Sequence, residues 1–287
     1  MSPDVAVLSL IAITLLAATV NGALGYGFSS LTVPVALLFY TNRVINPALV
    51  LVEVVVNSYV LFINRRSIPE VWRRTLPIIC GLVPGVLIGS FVLSHVNPGI
   101  IKCVTYVTLL PLILLQAAGF RRFIHSERAV GVPFGTGIGV LYSVTTISGP
   151  PLALLFNNQG YVRQEFRAGL ALIRIVESSL TAIAYYFLGL YSLESAQVLY
   201  LIVPSVVIGI PLGAFLIQRI EAETFRRVCM SFDAWVVGFG LSRTLIEIGL
   251  LGSPLAYSVL VATALIDCYL LYLFFRKRIG RQAEFAH

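Results

Sequence analysis

Apolar runs long enough to cross a bilayer recur along this chain, and they leave it few folds to choose from. Ile45–Ile63, Leu76–Leu93, Ile100–Ala118, Ala168–Leu190, Ala196–Ile217 and Leu255–Phe275 are each nearly free of charge. A spanning helix needs about 20 such residues, at a rise of about 1.5 Å each. Inside hydrocarbon every backbone N–H and C=O must be satisfied within its own element, so these runs are expected to be helices. They are continuously apolar instead of alternating, which argues against a β-barrel. Of the 287 residues, 58% are hydrophobic and 11% charged. A soluble domain carries about 25% charged residues, so this chain needs lipid as its solvent.

The net charge of +7 would raise the question of nucleic acid in a soluble protein. Here the basic residues fall in short segments between apolar runs, and no basic arm or zinc-finger spacing accompanies them. They serve instead to orient the chain, since loops rich in Arg and Lys face the cytoplasm. Four segments qualify: Arg65, Arg66, Arg73 and Arg74; Arg121, Arg122 and Arg128; Arg219, Arg226 and Arg227; and Arg276, Lys277, Arg278 and Arg281. Arg163 and Arg167 form a weaker fifth, whereas the segments near Val96–Pro98 and Gly189–Glu194 lack Lys and Arg. This alternation predicts a multi-pass protein of a cell inner membrane or plasma membrane, with a cytoplasmic C-terminus. The start does not read as a cleavable signal peptide, because it carries Asp4, lacks a basic region and runs straight into further apolar sequence.

An internal repeat is visible. Gly85-Val-Leu-Ile-Gly89-Ser-Phe91 resembles Gly209-Ile-Pro-Leu-Gly213-Ala-Phe215 at an offset of 124 residues. Upstream, the stretch Gly22–Pro34 corresponds to Thr145–Pro151. A repeat of this length governs the whole architecture. The expected division is an N-terminal repeat over 1–128, a second over 129–252, and an extra spanning helix with a basic tail over 253–287. Matched loops carry opposite charge character: the segment after Leu93 is uncharged, while its partner after Ile217 carries Arg219. The two halves are therefore expected to be inverted, a common plan among secondary transporters.

Each half opens with an apolar stretch too irregular for one straight helix. The first, over 5–40, is interrupted at Asn21-Gly22 and by Gly25-Tyr26-Gly27-Phe28-Ser29-Ser30. That leaves Val5–Val20 and Leu31–Phe39 as pieces short for spanning, expected to be half-helices or re-entrant segments. The second, over 130–157, is interrupted from Ser143 through Thr145, Thr146, Ser148, Gly149 and Pro150 to Pro151. Irregular backbone at membrane depth is tolerated only where protein buries it or where it lines a cavity. Pro151 suits the first turn of a new helix, where its missing N–H costs nothing. A helix N-terminus presents free N–H donors and a partial positive charge, so it favours an anion. Gly, Ser and Thr also let membrane helices pack closely, and composition alone does not separate the two roles. The recurrence of the break in both halves favours a site.

Ionisable residues inside the apolar runs add to this. Glu53 lies in the Ile45–Ile63 run, and Arg174 and Glu177 lie in its repeat partner. Such groups are costly at membrane depth and usually face a pathway or one another. Arg174 and Glu177, three apart, share a helix face, so an ion pair between them is one expectation. Glu53 and Glu177 are candidates for carrying a proton. Asp233, Arg243, Glu247 and Asp267 come later, with Arg243 and Asp267 expected as solvated helix ends. Cys80, Cys103, Cys229 and Cys268 have no metal-ligand spacing and are expected to be small buried thiols. No metal, cofactor or catalytic residue is expected: His95, His125 and His287 lie in predicted loops or the tail, without a His-Glu-x-x-His setting. No Walker-type phosphate loop occurs either.

At these motifs the sequence resembles the sulfite exporter TauE/SafE family, from about residue 5 to 275. The resemblance rests on Gly22-Ala-Leu-Gly25-Tyr-Gly27-Phe with Val33-Pro34, on Ser148-Gly149-Pro150-Pro151 with Glu165-Phe166-Arg167-Ala168, and on the Gly85/Gly89 and Gly209/Gly213 pairs. One departure is Phe28-Ser29-Ser30, where many members continue with glycine, and it bears on the size of anion accepted. The resemblance implies a secondary carrier that exports sulfite or an organosulfonate, or takes up a related anion. The expected partners are a small anion and the bilayer, not nucleic acid. The expected site comprises Asn21, Gly25, Gly27, Ser29, Ser30, Asn57, Thr145, Thr146, Ser148, Gly149, Pro150 and Arg174, with Glu53 and Glu177 for coupling. The rival readings are an anion channel, which would need a continuous polar pore, and an intramembrane enzyme.

Overall fold

The computed structural model describes residues 3–118, 127–157, 163–216, 219 and 222–284. The described residues fold into helices, with no strand among them. The first half runs α1 (Pro3–Leu24), α2 (Phe28–Ala36), α3 (Asn42–Ile63), α4 (Ile68–His95) and α5 (Pro98–Ala117). The second runs α6 (Glu127–Thr145), α7 (Gly149–Asn157), α8 (Arg163–Phe187), α9 (Leu193–Leu216) and α10 (Ala222–Glu247). A single turn, α11 (Ser253–Ala256), leads into the long C-terminal α12 (Ser258–Glu284). Seven helices among the described residues are long and apolar enough to cross a membrane, so the chain is a polytopic all-α membrane protein.

Element order repeats: long helix, nine-residue half-helix, then three long helices. The packing is reciprocal across the halves. α1 of the first half lies on α9 of the second, and α6 of the second lies on α4 of the first. α3 packs on α8 and α5 on α10. Small residues make the close approaches possible. A Cβ added at Gly213 would collide with the Thr19 carbonyl, and one added at Gly89 with the Ser143 hydroxyl and the Val140 carbonyl. The halves thus interlock: α1 and α9 pair, α4 packs on both α6 and α8, and α3 lies between the two groups, on α8 and on α9.

Several expectations change here. Asn21-Gly22 does not interrupt α1, which continues to Leu24 and is itself long enough to span. The Gly22 α-carbon sits against the Ile210 carbonyl of α9, so this glycine serves close packing inside an intact helix. Arg227 is not part of a solvated basic loop, and Asp267 is not a solvated end. Both are buried, and they pair at 2.8 Å between α10 and α12, with Ser231 donating to the same carboxylate oxygen at 3.2 Å. Lipid offers neither charge a partner, so each turns inward to the other. Arg243 is exposed and pairs with Glu247, as expected of a helix end. Cys80 and Cys268 are free thiols on the outer face instead of buried ones. The Arg121–Arg122 segment lies outside the described residues.

Outward-facing Leu87, Phe91, Val207, Ile208, Leu265 and Tyr269 are all exposed, which gives the bundle an apolar belt for lipid.

Candidate functional site

The breaks fall inside the stretches that sequence indicates but are shorter, lying after Leu24 and after Thr145, and each turns on residues in the left-handed backbone region. In the first half Gly25 (φ 85°) and Gly27 (φ 108°) turn the chain between α1 and α2. In the second Thr146 does so at φ 57°, among the described residues the only non-glycine with positive φ. Gly27 and Thr146 each stand two positions before a serine, Ser29 and Ser148. A threonine here is strained, since β-branched residues disfavour this region.

Breaking a helix at depth strands its last carbonyls, and polar side chains collect them. Tyr185 Oη donates to Ser143 O at 2.5 Å, and Asn46 and Asn42 donate to Val144 O at 2.7 and 3.2 Å. Arg167 of α8 donates to Ala23 O at 2.7 Å and lies against Gly25, closing the end of α1. The Thr145 hydroxyl donates to Leu141 O and accepts from the Ile147 N–H, while the Thr146 hydroxyl donates to Thr145 O. Those two hydroxyls therefore hold the shape of the break.

Beyond each break a half-helix begins, and the two beginnings meet. A Cβ at Gly149, the first residue of α7, would lie 3.7 Å from Tyr26 and 3.9 Å from the Ser30 hydroxyl. At α2 the first intrahelical bond is Leu31 N–H to Gly27 O, which leaves the N–H groups of Phe28, Ser29 and Ser30 outside the helix ladder. At α7 Leu152 N–H bonds Ser148 O, and Pro150 and Pro151 carry no N–H, so Gly149 supplies the free donor of that turn.

The two interior glutamates come to these same helix ends. Glu53 of α3 is 1% exposed; its Oε1 accepts from Ser29 Oγ and from Arg174 Nη2, both at 2.5 Å, and its Oε2 accepts from Tyr142 Oη at 2.7 Å. Glu177 of α8 is wholly buried, and its Oε2 accepts from Ser148 Oγ at 2.6 Å. Its Oε1 has no partner. Arg174 thus pairs with Glu53 across the halves and not with its helix neighbour Glu177, although its charge also acts on that group. The guanidinium is 3% exposed, and its Nε and Nη1 have no partner. Asn57 Nδ2 and Thr181 Oγ1, one helical turn beyond each glutamate and 124 residues apart, are also buried without a partner, as is Asn21 Oδ1.

The structure therefore brings Ser29, Ser30, Ser148, Gly149, Glu53, Glu177 and Arg174 together. Sequence reading did not find Tyr142 or Thr181, and named Arg167 only as a basic residue and within the motif Glu165-Phe166-Arg167-Ala168. Thr181 was accessible through the repeat offset from Asn57, while Tyr142 carries no local signal. Chemically, the cluster joins two half-helix N-termini, free guanidinium N–H groups and two carboxylates in a buried interior. N–H donors of this kind are of the type that suits an oxyanion, and a carboxylate is a group that can take a proton.

A sequence model of the family described as "Sulfite exporter TauE/SafE" matches residues 10–240, which covers both breaks and both glutamates and ends within α10. Neither curated proteins nor solved structures gave a match.

Proposed function

From the chain's membership of the sulfite exporter TauE/SafE family, we propose that it is a secondary carrier that exports a small sulfur-containing oxyanion, such as sulfite or a short organosulfonate. The anion binds between the two half-helix N-termini, on Ser29, Ser30, Ser148, Gly149 and Arg174, with Asn21 and Asn57 as further polar contacts. Gly25, Gly27, Thr145, Thr146 and Pro150 shape the two breaks. Glu53 and Glu177 take part in coupling.

The observation that carries this reading is Arg174. A buried guanidinium is retained at high cost in lipid, and two of its nitrogens face no protein acceptor. A tetrahedral or pyramidal oxyanion supplies the missing acceptors and meets two helix dipoles at the same point.

The interlocked packing supports a particular form of alternating access. The two sequence halves, taken as inverted repeats over 1–128 and 129–252 with the C-terminus cytoplasmic, cannot rock as blocks, because each embraces helices of the other. The proposed moving bodies each hold helices of both halves, α1–α2–α3–α9 against α4–α6–α7–α8, with the α3–α8 contact as the sliding boundary. Ser29 holds Glu53, and Ser148 holds Glu177, within one body each. Arg174 and Tyr142 reach Glu53 across the boundary. An oxyanion on Arg174 competes with Glu53 and loosens that latch.

The test is ³⁵S-sulfite flux in proteoliposomes. Saturable, trans-stimulated flux is expected, because a channel gives no trans-stimulation. Ser148→Leu is expected to abolish flux in protein that still folds, and wild-type flux in that variant would move the site elsewhere. Glu53→Gln and Glu177→Gln both keeping pH-dependent transport would remove the coupling role.

A further inference from the structure

We infer that proton and anion cross together, and that Glu177 is the group that takes up the proton; this rests on the carrier reading above. The cluster holds two carboxylates and one guanidinium. Glu53 is saturated, with Ser29, Tyr142 and Arg174 around its two oxygens. Glu177 has Ser148 on one oxygen and nothing on the other. The groups that face Glu177 are Arg174 on its own helix, Glu53 from α3 and Tyr142 from α6. α7 contains no titratable residue, α4 buries none, and Arg65 and Arg66 before α4 are exposed.

An oxyanion that docks on the free N–H groups of Arg174 brings negative charge beside an unneutralised carboxylate. In an interior of low dielectric that repulsion is strong. A proton on Glu177 Oε1 removes it and turns that oxygen into a donor aimed at the anion. Each ligand therefore makes the other bind more tightly, and the linkage is reciprocal. Positive linkage at one alternating site is co-transport; antiport would require the two to exclude each other. The proton comes from water on the loading side, rides on Glu177, and returns to water with the anion on the other side. Export then runs down the anion's own gradient, and an inward proton gradient drives the same anion back in.

The experiment uses wild-type protein in proteoliposomes, with ³⁵S-sulfite to establish exchange and a ³⁵S-labelled short alkanesulfonate, which carries no proton of its own near neutral pH, to read accumulation. The membrane potential is clamped at zero with valinomycin and equal potassium, and protein-free vesicles are subtracted. With exchange present at equal pH, a gradient of about one unit, acid outside, is expected to sustain about tenfold accumulation inside, the ratio one proton per anion allows. Depletion, or no response to the gradient while exchange continues, overturns the inference and leaves the carrier standing. Absence of exchange overturns the carrier reading and the inference with it. Glu177→Gln is expected to bring the accumulation ratio to one in whatever flux it retains, while Glu177→Asp keeps it above one. Tenfold accumulation in Glu177→Gln would take the proton away from this residue, and the wild-type ratio decides the sign even if that variant does not fold.

Discussion

Glu53 and Glu177 stand 124 residues apart at equivalent points of α3 and α8, yet Glu53 accepts from Ser29, Tyr142 and Arg174, and Glu177 from Ser148 alone. The repeat offset shows why. The position equivalent to Arg174 in the first half is Val50. Packing register shows the rest. Gly85 meets the Thr136 carbonyl where Gly209 meets that of Leu15, and Gly89 meets the Val140 carbonyl where Gly213 meets that of Thr19. That register sets Asn21 in the place of Tyr142. The second half thus lends two donors to the first half's glutamate and receives none back. A duplicated scaffold has become one finished ion pair and one open carboxylate, and the open one is where a charge can come and go.

The largest break in this comparison comes from Arg174→Leu. It leaves Glu53 buried without a counter-charge, a loss of about 3–5 kcal/mol. Thermal unfolding in detergent is expected to show a strongly lowered midpoint. Adding Glu53→Gln to it should recover much of the stability and none of the sulfite flux. If the single variant unfolds like the wild type, the pair is not holding the two bodies together.

Much of this is legible in the chain alone. Apolar length revealed the spans, the Gly85/Gly209 pair the repeat, and the glycine and proline punctuation both breaks. The contents of the site were half legible. Glu53, Arg174 and Glu177 stood out because charge inside an apolar run is expensive. Their pairing did not, because three-residue spacing on one helix points Arg174 at Glu177. Only the packing of α3 on α8 shows that Glu53 competes for it and wins. Arg227 and Asp267 misled for a related reason: Arg227 stands in a basic cluster and Asp267 alone within the Leu255–Phe275 run, so nothing local pairs them, and their meeting depends on α10 and α12 coming side by side.

A smaller effect tests the two serines against each other. Ser148→Ala removes the hydroxyl donor of Glu177, and a bond to a charged group is worth about 1.5–3 kcal/mol. Ser29→Ala leaves Glu53 with Arg174 and Tyr142 and should cost about 1 kcal/mol or less. Unfolding midpoints for the pair are expected to differ in that order, and equal losses would mean that the two carboxylates are in equivalent surroundings. Tyr142→Phe belongs between them. It removes one of three donors to Glu53 without touching Glu177, so stability falls by about 1 kcal/mol while the response of flux to a proton gradient persists.

The smallest expected effect lies in the backbone, where the halves differ by one residue type. Gly25 and Thr146 occupy matched turns at φ 85° and 57°, each closing its helix on the equivalent carbonyl, of Asn21 and of Tyr142. Glycine is at ease there, whereas a β-branched residue holds strain of about 1–3 kcal/mol. Thr146→Gly releases that strain but gives up the hydroxyl bond to Thr145 O and adds freedom to the unfolded chain. The net is expected to be a gain of no more than about 1 kcal/mol. Gly25→Ala runs the other way. Its new Cβ would stand 3.2 Å from Arg167 Nε, at a φ that alanine resists, so a loss of about 1 kcal/mol follows. If Thr146→Gly instead destabilises by more than the lost hydrogen bond, the threonine is not a tolerated substitute for glycine. Its stiffness would then be what fixes Ser148 at the start of α7, and the second break would be the rigid one of the two.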